Sequence, residues 1–200
     1  MIVNYDYDVI VVGGGHAGVE ACLASAKLNK KTLLITLNFN MVANMPCNPS
    51  IGGSAKGIVV REIDALGGFM GKAADYDYLQ MKMLNTAKGV GVRCLRAQED
   101  KLRYPKYVQN HIKNSKNLDV LEDEVKGIIF ENDTIYGVIL SENRKIYARA
   151  VVLSTGTYMN SEIMVGHSKV SGGPDGEKPS VGLSDYLRNE MGLDLIRLKT

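Results

Sequence analysis

The sequence predicts an α/β fold, a parallel sheet with helical cover into which a small antiparallel β-meander is inserted. Three observations carry this expectation. The run "DYDVIVVGGGHAGVEACLASAKLNKKTLLIT" reads as strand, glycine turn, helix and strand, which is a βαβ unit. From Leu118 the texture changes to short β-rich runs, and "AVVLSTGTY" reads as a strand that returns to the main sheet at 150–154.

Taken in order, the first strand ends near Val12 and a helix follows over 16–29. Its small residues Ala17, Gly18, Ala21, Cys22, Ala24 and Ala26 allow close approach to a sheet, and Lys27, Lys30 and Lys31 favour its negative dipole end. A second strand covers 32–36. Residues 37–54, rich in Asn, Gly, Pro and Ser, read as a long loop with at most a helical turn, a length that points to function. "AKGIVVREIDAL" is helical over 55–66, with Ser54 as N-cap and Gly67 as stop. A polar, glycine-broken region runs to Arg96, and "KLRYPKYVQNHIKN" is helical after Pro105. The runs "LDVLED", "VKGIIFEN", "TIYGVILS" and "KIYARA" form the meander, 118–149, with "ENDT" and "SENR" as turns. A Gly/Pro-rich loop, "HSKVSGGPDGEKPS", leads to a last helix over 180–191.

At 200 residues the chain reads as one domain, 1–200, with the meander inside it. A net charge of +2 excludes a globally polyanion-seeking protein, so any basic surface must be local. Cys22, Cys47 and Cys94 are odd in number and lack C-x-x-C spacing, against a disulfide framework or a zinc site. No metal is expected. The apolar stretch at 9–12 is broken at once by glycines, so neither a secretory signal nor a membrane span fits, and the expected location is cytoplasmic.

Gly13, Gly15 and Gly18 form G-x-G-x-x-G directly after a strand and at the start of a helix, the setting in which that pattern is informative. Gly13 makes the turn, Gly15 leaves room for a pyrophosphate and Gly18 lets helix and strand pack, so Gly13, Gly14, Gly15, His16, Ala17 and Gly18 are the candidate dinucleotide cradle. A turn kept for packing alone is the plain alternative. The acidic residue expected about 20 residues on is missing, because no Asp or Glu lies between Glu20 and Glu62; Thr36 or Asn38 would have to hold the ribose. That gap, with the Thr155–Gly156 turn after a β-meander, favours FAD over NAD and a Rossmann-like domain of the two-dinucleotide flavoprotein type.

Cys47 stands in "MPCNPSIGGSAKG", ahead of two glycines and the helix that starts at 55, with Lys56 in its first turn. A helix N-terminus and a cation both favour a thiolate, whereas most free cysteines are simply small buried residues. Cys22 and Cys94 read as structural. Lys82, Lys88, Arg93, Arg96, Lys101, Arg103 and Lys106 concentrate positive charge against only Glu99 and Asp100, which suits RNA phosphates, with Tyr104 or Tyr107 to stack on a base. A solvated basic face is the alternative. His111 and His167 are assigned no role.

"GGGHAGVEA", "CNPSIGGSAKG" and "VVLSTGTYMN" together resemble the MnmG (GidA) family of tRNA uridine 5-carboxymethylaminomethyl modification enzymes, and "VREIDALGG", "NTAKGVGVRCLRAQEDK" and "RLKT" extend the likeness along the chain. The resemblance implies a cytoplasmic FAD enzyme, dimeric at full length, that works with the GTPase MnmE on the wobble uridine of tRNA. NADH and methylenetetrahydrofolate would be its co-substrates. It also implies that 1–200 is the N-terminal FAD-binding part of a longer enzyme, inactive on its own, and that Val125 and Ser180 add flavin contacts. Cys47 would then be catalytic, as the thiolate that adds to carbon six of uracil, as a general acid or as a redox partner of the flavin. A small-molecule flavin oxidoreductase and a non-catalytic flavin-binding remnant are the competing readings.

Overall fold

The computed structural model describes residues 4–46, 48–173 and 176–198. The chain divides into two compact units, one formed by 1–39 with 116–200 and the other by 40–115.

In the first unit, strand β1 (Tyr7–Val12) leads through the glycine turn into helix α1 (His16–Lys27) and strand β2 (Thr32–Thr36). Further along come β6 (Leu118–Glu122), β7 (Val125–Glu131), β8 (Thr134–Leu140) and β9 (Lys145–Leu153). They assemble in the order β6-β2-β1-β9-β8-β7, with β1 parallel to both β2 and β9, and β2 parallel to β6. All five residues of β2 are buried, as expected of a parallel strand covered on both faces, and each fully buried Leu or Ile contributes about 1.5–3 kcal/mol. Of the small residues expected to face the sheet, Gly18, Cys22 and Ala26 are buried, as is Val19, whereas Ala17 and Ala24 lie on the exposed side of α1.

The expected meander is present but its boundary differs. β6 is the edge strand of the parallel sheet, and only β7, β8 and β9 pair antiparallel. β9 serves both arrangements, pairing β8 through its first residues and β1 through its later ones. Ile128, Val138, Leu140 and Ala148 of this layer bury against Ile10, Val12, Leu33 and Ile35 together with Leu183 and Leu187 of the last helix, α5 (Leu183–Asn189). A hairpin, β10 (Glu162–Val165) with β11 (Ser168–Ser171), runs into the expected Gly/Pro loop, which begins at His167 and so contains only β11.

The second unit holds more structure than its sequence announces. Strands β3 (Ser50–Gly52), β4 (Tyr78–Leu84) and β5 (Cys94–Glu99) form a three-stranded antiparallel sheet in the order β3-β5-β4. Helices α2 (Lys56–Ala65), α3 (Met70–Asp77) and α4 (Arg103–Lys113) accompany it. So the expected loop over 37–54 contains a strand, and the glycine-broken region contains α3 and two strands. Pro105 sits inside α4 rather than before it, in the first turn, where its missing N–H leaves no hydrogen bond unmade. Ser54 does not cap α2. Its hydroxyl is engaged instead by Asn85 Nδ2 at 3.3 Å and Cys94 Sγ at 3.8 Å.

Candidate functional site

The glycine turn lies at the carboxyl ends of the parallel strands, where β1 separates β2 on one side from β9 on the other. That is the switch point at which open α/β sheets bind ligands. Gly13 N–H donates to Ile35 O at 2.8 Å, and Ser154 N–H donates to Val12 O at 2.8 Å, pinning the turn to both neighbouring strands. The Ser154 hydroxyl adds bonds to Val12 O at 3.0 Å and Gly13 O at 3.2 Å.

The three glycines do different things. Gly13 has φ +105, and a Cβ there would stand 2.4 Å from Ser154 O. A Cβ at Gly18 would fall 1.9 Å from Gly13 O, so Gly18 is what lets α1 approach the turn. Gly15 is another matter: it is exposed, its φ is an ordinary −68, and a Cβ would meet nothing within 4 Å. Packing explains Gly13 and Gly18 but gives no reason for Gly15. Space above its backbone is what a pyrophosphate needs.

The helix start fits that ligand too. Gly15 is the N-cap of α1, no side chain caps it, and the first turn holds no acidic residue, so the positive end of the helix dipole suits an anion. His16 is half-buried and Ala17 exposed at this end. Beside the turn, Gly156 follows β9 with φ +59 and open space at its Cβ position. The residues present therefore fit a dinucleotide such as FAD.

An acid absent from the expected spacing is brought to the end of β2 by strand pairing. Glu122, at the end of β6, is the register partner of Thr36 at the end of β2, and its carboxylate accepts the Phe39 N–H. An acid thus stands beside the β2 terminus, contributed by the neighbouring strand. Thr36 is itself buried, and Asn38 Nδ2 donates to Glu177 Oε1 at 3.2 Å.

Val125 and Ser180, far apart in sequence, are joined through Glu124. Its Oε1 accepts from Ser180 Oγ at 3.1 Å and Val181 N–H at 2.8 Å, and its Oε2 pairs with Lys126 at 2.7 Å. Burial opposes the Glu124 charge, but these bonds outweigh it and hold the carboxyl below its usual range. The Val125 side chain is buried in the core, so only its backbone could serve a ligand.

In the second unit, Cys47 lies outside the described residues. The segments either side of it are tied down: Glu99 N–H and Gln98 Nε2 donate to Pro49 O at 2.7 and 3.0 Å, and Lys101 Nζ donates to Pro46 O at 3.4 Å. Lys56 Nζ reaches Ser50 O at 3.3 Å. The other two cysteines are buried, as expected, and burial pushes the Cys22 thiol up to about 12. Of the basic cluster, Lys82 and Arg96 face each other as direct cross-strand partners in β4 and β5. Like charges so placed repel, an arrangement that an anion would relieve. Tyr104 is 1% exposed and has no face for a base, whereas Tyr107 is half-buried within a ring stack. No cluster of three or more His, Cys, Asp or Glu suited to a metal occurs among the described residues.

Comparison with known proteins decides the family. The profile of the family described as Glucose inhibited division protein A matches residues 8–200. The chain belongs to this family. Among curated relatives, the tRNA uridine 5-carboxymethylaminomethyl modification enzyme MnmG of Acholeplasma laidlawii is 54% identical over 194 residues, which cover 97% of this chain and 31% of that protein. The solved GidA of Aquifex aeolicus superposes with TM-score 0.87 at 48% identity, covering 94% of this chain and 31% of the GidA chain. The chain thus spans about a third of the length of these GidA relatives. The myxobacterial chondrochloren halogenase CndH, one of the FAD-dependent halogenases, shares the fold alone, at TM-score 0.51 and 20% identity over 78% of this chain and 38% of its own.

Proposed function

We propose that the chain is the FAD-binding part of an enzyme that modifies the wobble uridine of tRNA, adding a carboxymethylaminomethyl or aminomethyl group at carbon five. The observation that carries this reading is the open, uncapped glycine turn at the switch point, in a chain 54% identical to a protein named for that modification. Gly13 to Gly18 hold the pyrophosphate against the N-terminus of α1, Glu122 stands in for the ribose acid, and Val125 and Ser180 contribute further flavin contacts. The flavin supplies two-electron redox chemistry when bound.

Cys47 is the residue we assign to the uracil. As a thiolate it adds to carbon six, which makes carbon five nucleophilic toward an incoming one-carbon unit. Support for this is its place in "CNPSIGG" and the hydrogen bonds that fix Pro46 and Pro49 around it. The remaining parts of the proposal come from the family: NADH and methylenetetrahydrofolate as co-substrates, MnmE as GTPase partner, a homodimer and a cytoplasmic location. No helix among the described residues is long and apolar enough to cross a membrane, which is consistent with that location.

The test is the visible absorption spectrum of the purified chain, before and after added FAD, with mass spectrometry of any cofactor released on heating. Bound FAD is the expected result. A colourless chain that takes up no FAD would contradict the assignment of the glycine turn. Cys47→Ala, placed in the complete enzyme, is expected to abolish wobble-uridine modification while leaving the flavin spectrum intact.

A further inference from the structure

On the second unit, four aromatic rings, from α3, the residue that caps it, and α4, form one column. Tyr76 of α3 stacks on Tyr107 of α4, with ring centroids 3.9 Å apart and planes 13° from parallel. Tyr107 is followed by Phe69 at 5.8 Å and 14°, and Phe69 by His111 at 4.0 Å and 15°. The spacing in sequence builds it: Tyr107 and His111 are one turn apart on α4, so their rings alternate with those of Tyr76 and Phe69. Phe69, 8% exposed, anchors the column in the core.

The core does not account for the other end. Tyr76 is 62% exposed although one face of its ring lies on Tyr107. A flat, rigid ring with an open face is what an unstacked nucleobase uses, because every base has a π-face to offer. The surrounding charge suits the same partner. Lys72 lies one turn before Tyr76, and Arg103 one turn before Tyr107, with Lys106 next to that ring in sequence; all three are exposed. Of the nearby acids, Asp77 is buried and paired with Arg103 at 3.0 Å, whereas Asp100 accepts the Leu102 and Arg103 N–H groups at the start of α4 and stays ionised beside Arg103 and Lys106. Asp75 is the exposed exception. Burial and the Lys72 charge hold the His111 pKa below its usual value, which disfavours the charged ring at the far end of the column.

We propose that the outer face of Tyr76 is a stacking platform for an unpaired base of the tRNA substrate, whose phosphates are met by Lys72 and Lys106. This rests on the tRNA reading above and names the surface that serves it.

The test is a fluorescence-anisotropy titration of the chain with a labelled RNA stem-loop and with a duplex of equal length, for wild type, Tyr76→Ala and Tyr76→Phe. Circular dichroism melting confirms that each variant is folded. Tyr76→Ala is expected to weaken stem-loop binding about tenfold, within the range of one lost base stack, while Tyr76→Phe keeps the affinity because it keeps the ring. Duplex binding, carried by phosphates, should not respond to either change. Stem-loop affinity unchanged in Tyr76→Ala would overturn the platform and leave the column as packing or as a protein-facing surface. Absence of RNA binding by wild type would also overturn it. Neither outcome touches the flavin titration, which judges the cofactor reading separately.

Discussion

The two units of this chain differ in how much of their structure is written in hydrophobic pattern. The unit of 1–39 and 116–200 is organised around a buried parallel sheet, and its strands can be read because burial imposes a run such as "TLLIT". The unit of 40–115 has a core too, with Val42, Tyr104, Val108 and Ile112 buried, but several of its elements are largely exposed. β4 has no fully buried residue, and α2 buries only Val60 while Ile58 and Val59 stand about half exposed. The contrast separates the work the two units are suited to. The first holds a rigid cradle with residues chosen for backbone shape, and the second presents charge and aromatic rings at its surface.

The sharpest way to break the comparison is through the cradle. Gly18→Ala forces a Cβ onto Gly13 O and is expected to destabilise the chain by about 3 kcal/mol or more, read as a lower midpoint in urea. If Gly18→Ala leaves the midpoint in place, the account of why α1 packs so closely fails.

Next comes the buried acid of the second unit. Glu99 is 1% exposed, its carboxylate oxygens lack hydrogen-bond partners, and burial together with the Asp77 and Asp75 charges pushes its pKa up to about 7. The raised pKa means that the folded chain holds the proton more tightly than the unfolded one. The resulting stability is fully present below the ordinary value of 4.5 and is lost as pH rises to about 7. The loss is roughly 3 kcal/mol over that window. Glu99→Gln should remove this slope and be the more stable protein at pH 8, measured by urea denaturation across pH. An identical pH profile in the two proteins would show that Glu99 is not the titrating group.

The smallest effect belongs to the surface. Replacing both Lys82 and Arg96 with alanine relieves a cross-strand repulsion, worth about 0.2–1 kcal/mol of added stability. The same pair of changes should weaken tRNA binding and lower the salt slope by about one for each phosphate no longer neutralised. A gain in stability without a change in salt slope would make this pair a solvated basic face.

Much of the first unit was legible in sequence, down to the glycine turn and the return of "AVVLSTGTY" beside it. What escaped were features that carry no period. β10 and β11 are exposed throughout, so their only sequence signal was the two-residue Gly166–His167 turn. α3 spans eight residues with a glycine in its first turn, too short for a helical stripe to stand out. At the candidate site, Glu122 escaped because the spacing rule looks along the chain for an acid, whereas the parallel pairing of β6 with β2 sets one beside Thr36 from 86 positions further on. Glu124 was missed for a similar reason, since the bonds that join it to Ser180 and Val181 exist only in the fold.

The central claim is that the glycine turn is a cradle for a dinucleotide and more than a packing device, and Gly15 isolates it, being the one glycine of the three whose Cβ position is empty. The most direct measurement is FAD affinity by calorimetric titration of wild type and Gly15→Ala, with the melting temperature of each protein taken without FAD. The account predicts nearly equal melting temperatures and FAD binding at least about tenfold weaker in the variant, a difference of about 1.4 kcal/mol. Unchanged FAD affinity in a stable Gly15→Ala protein would contradict it.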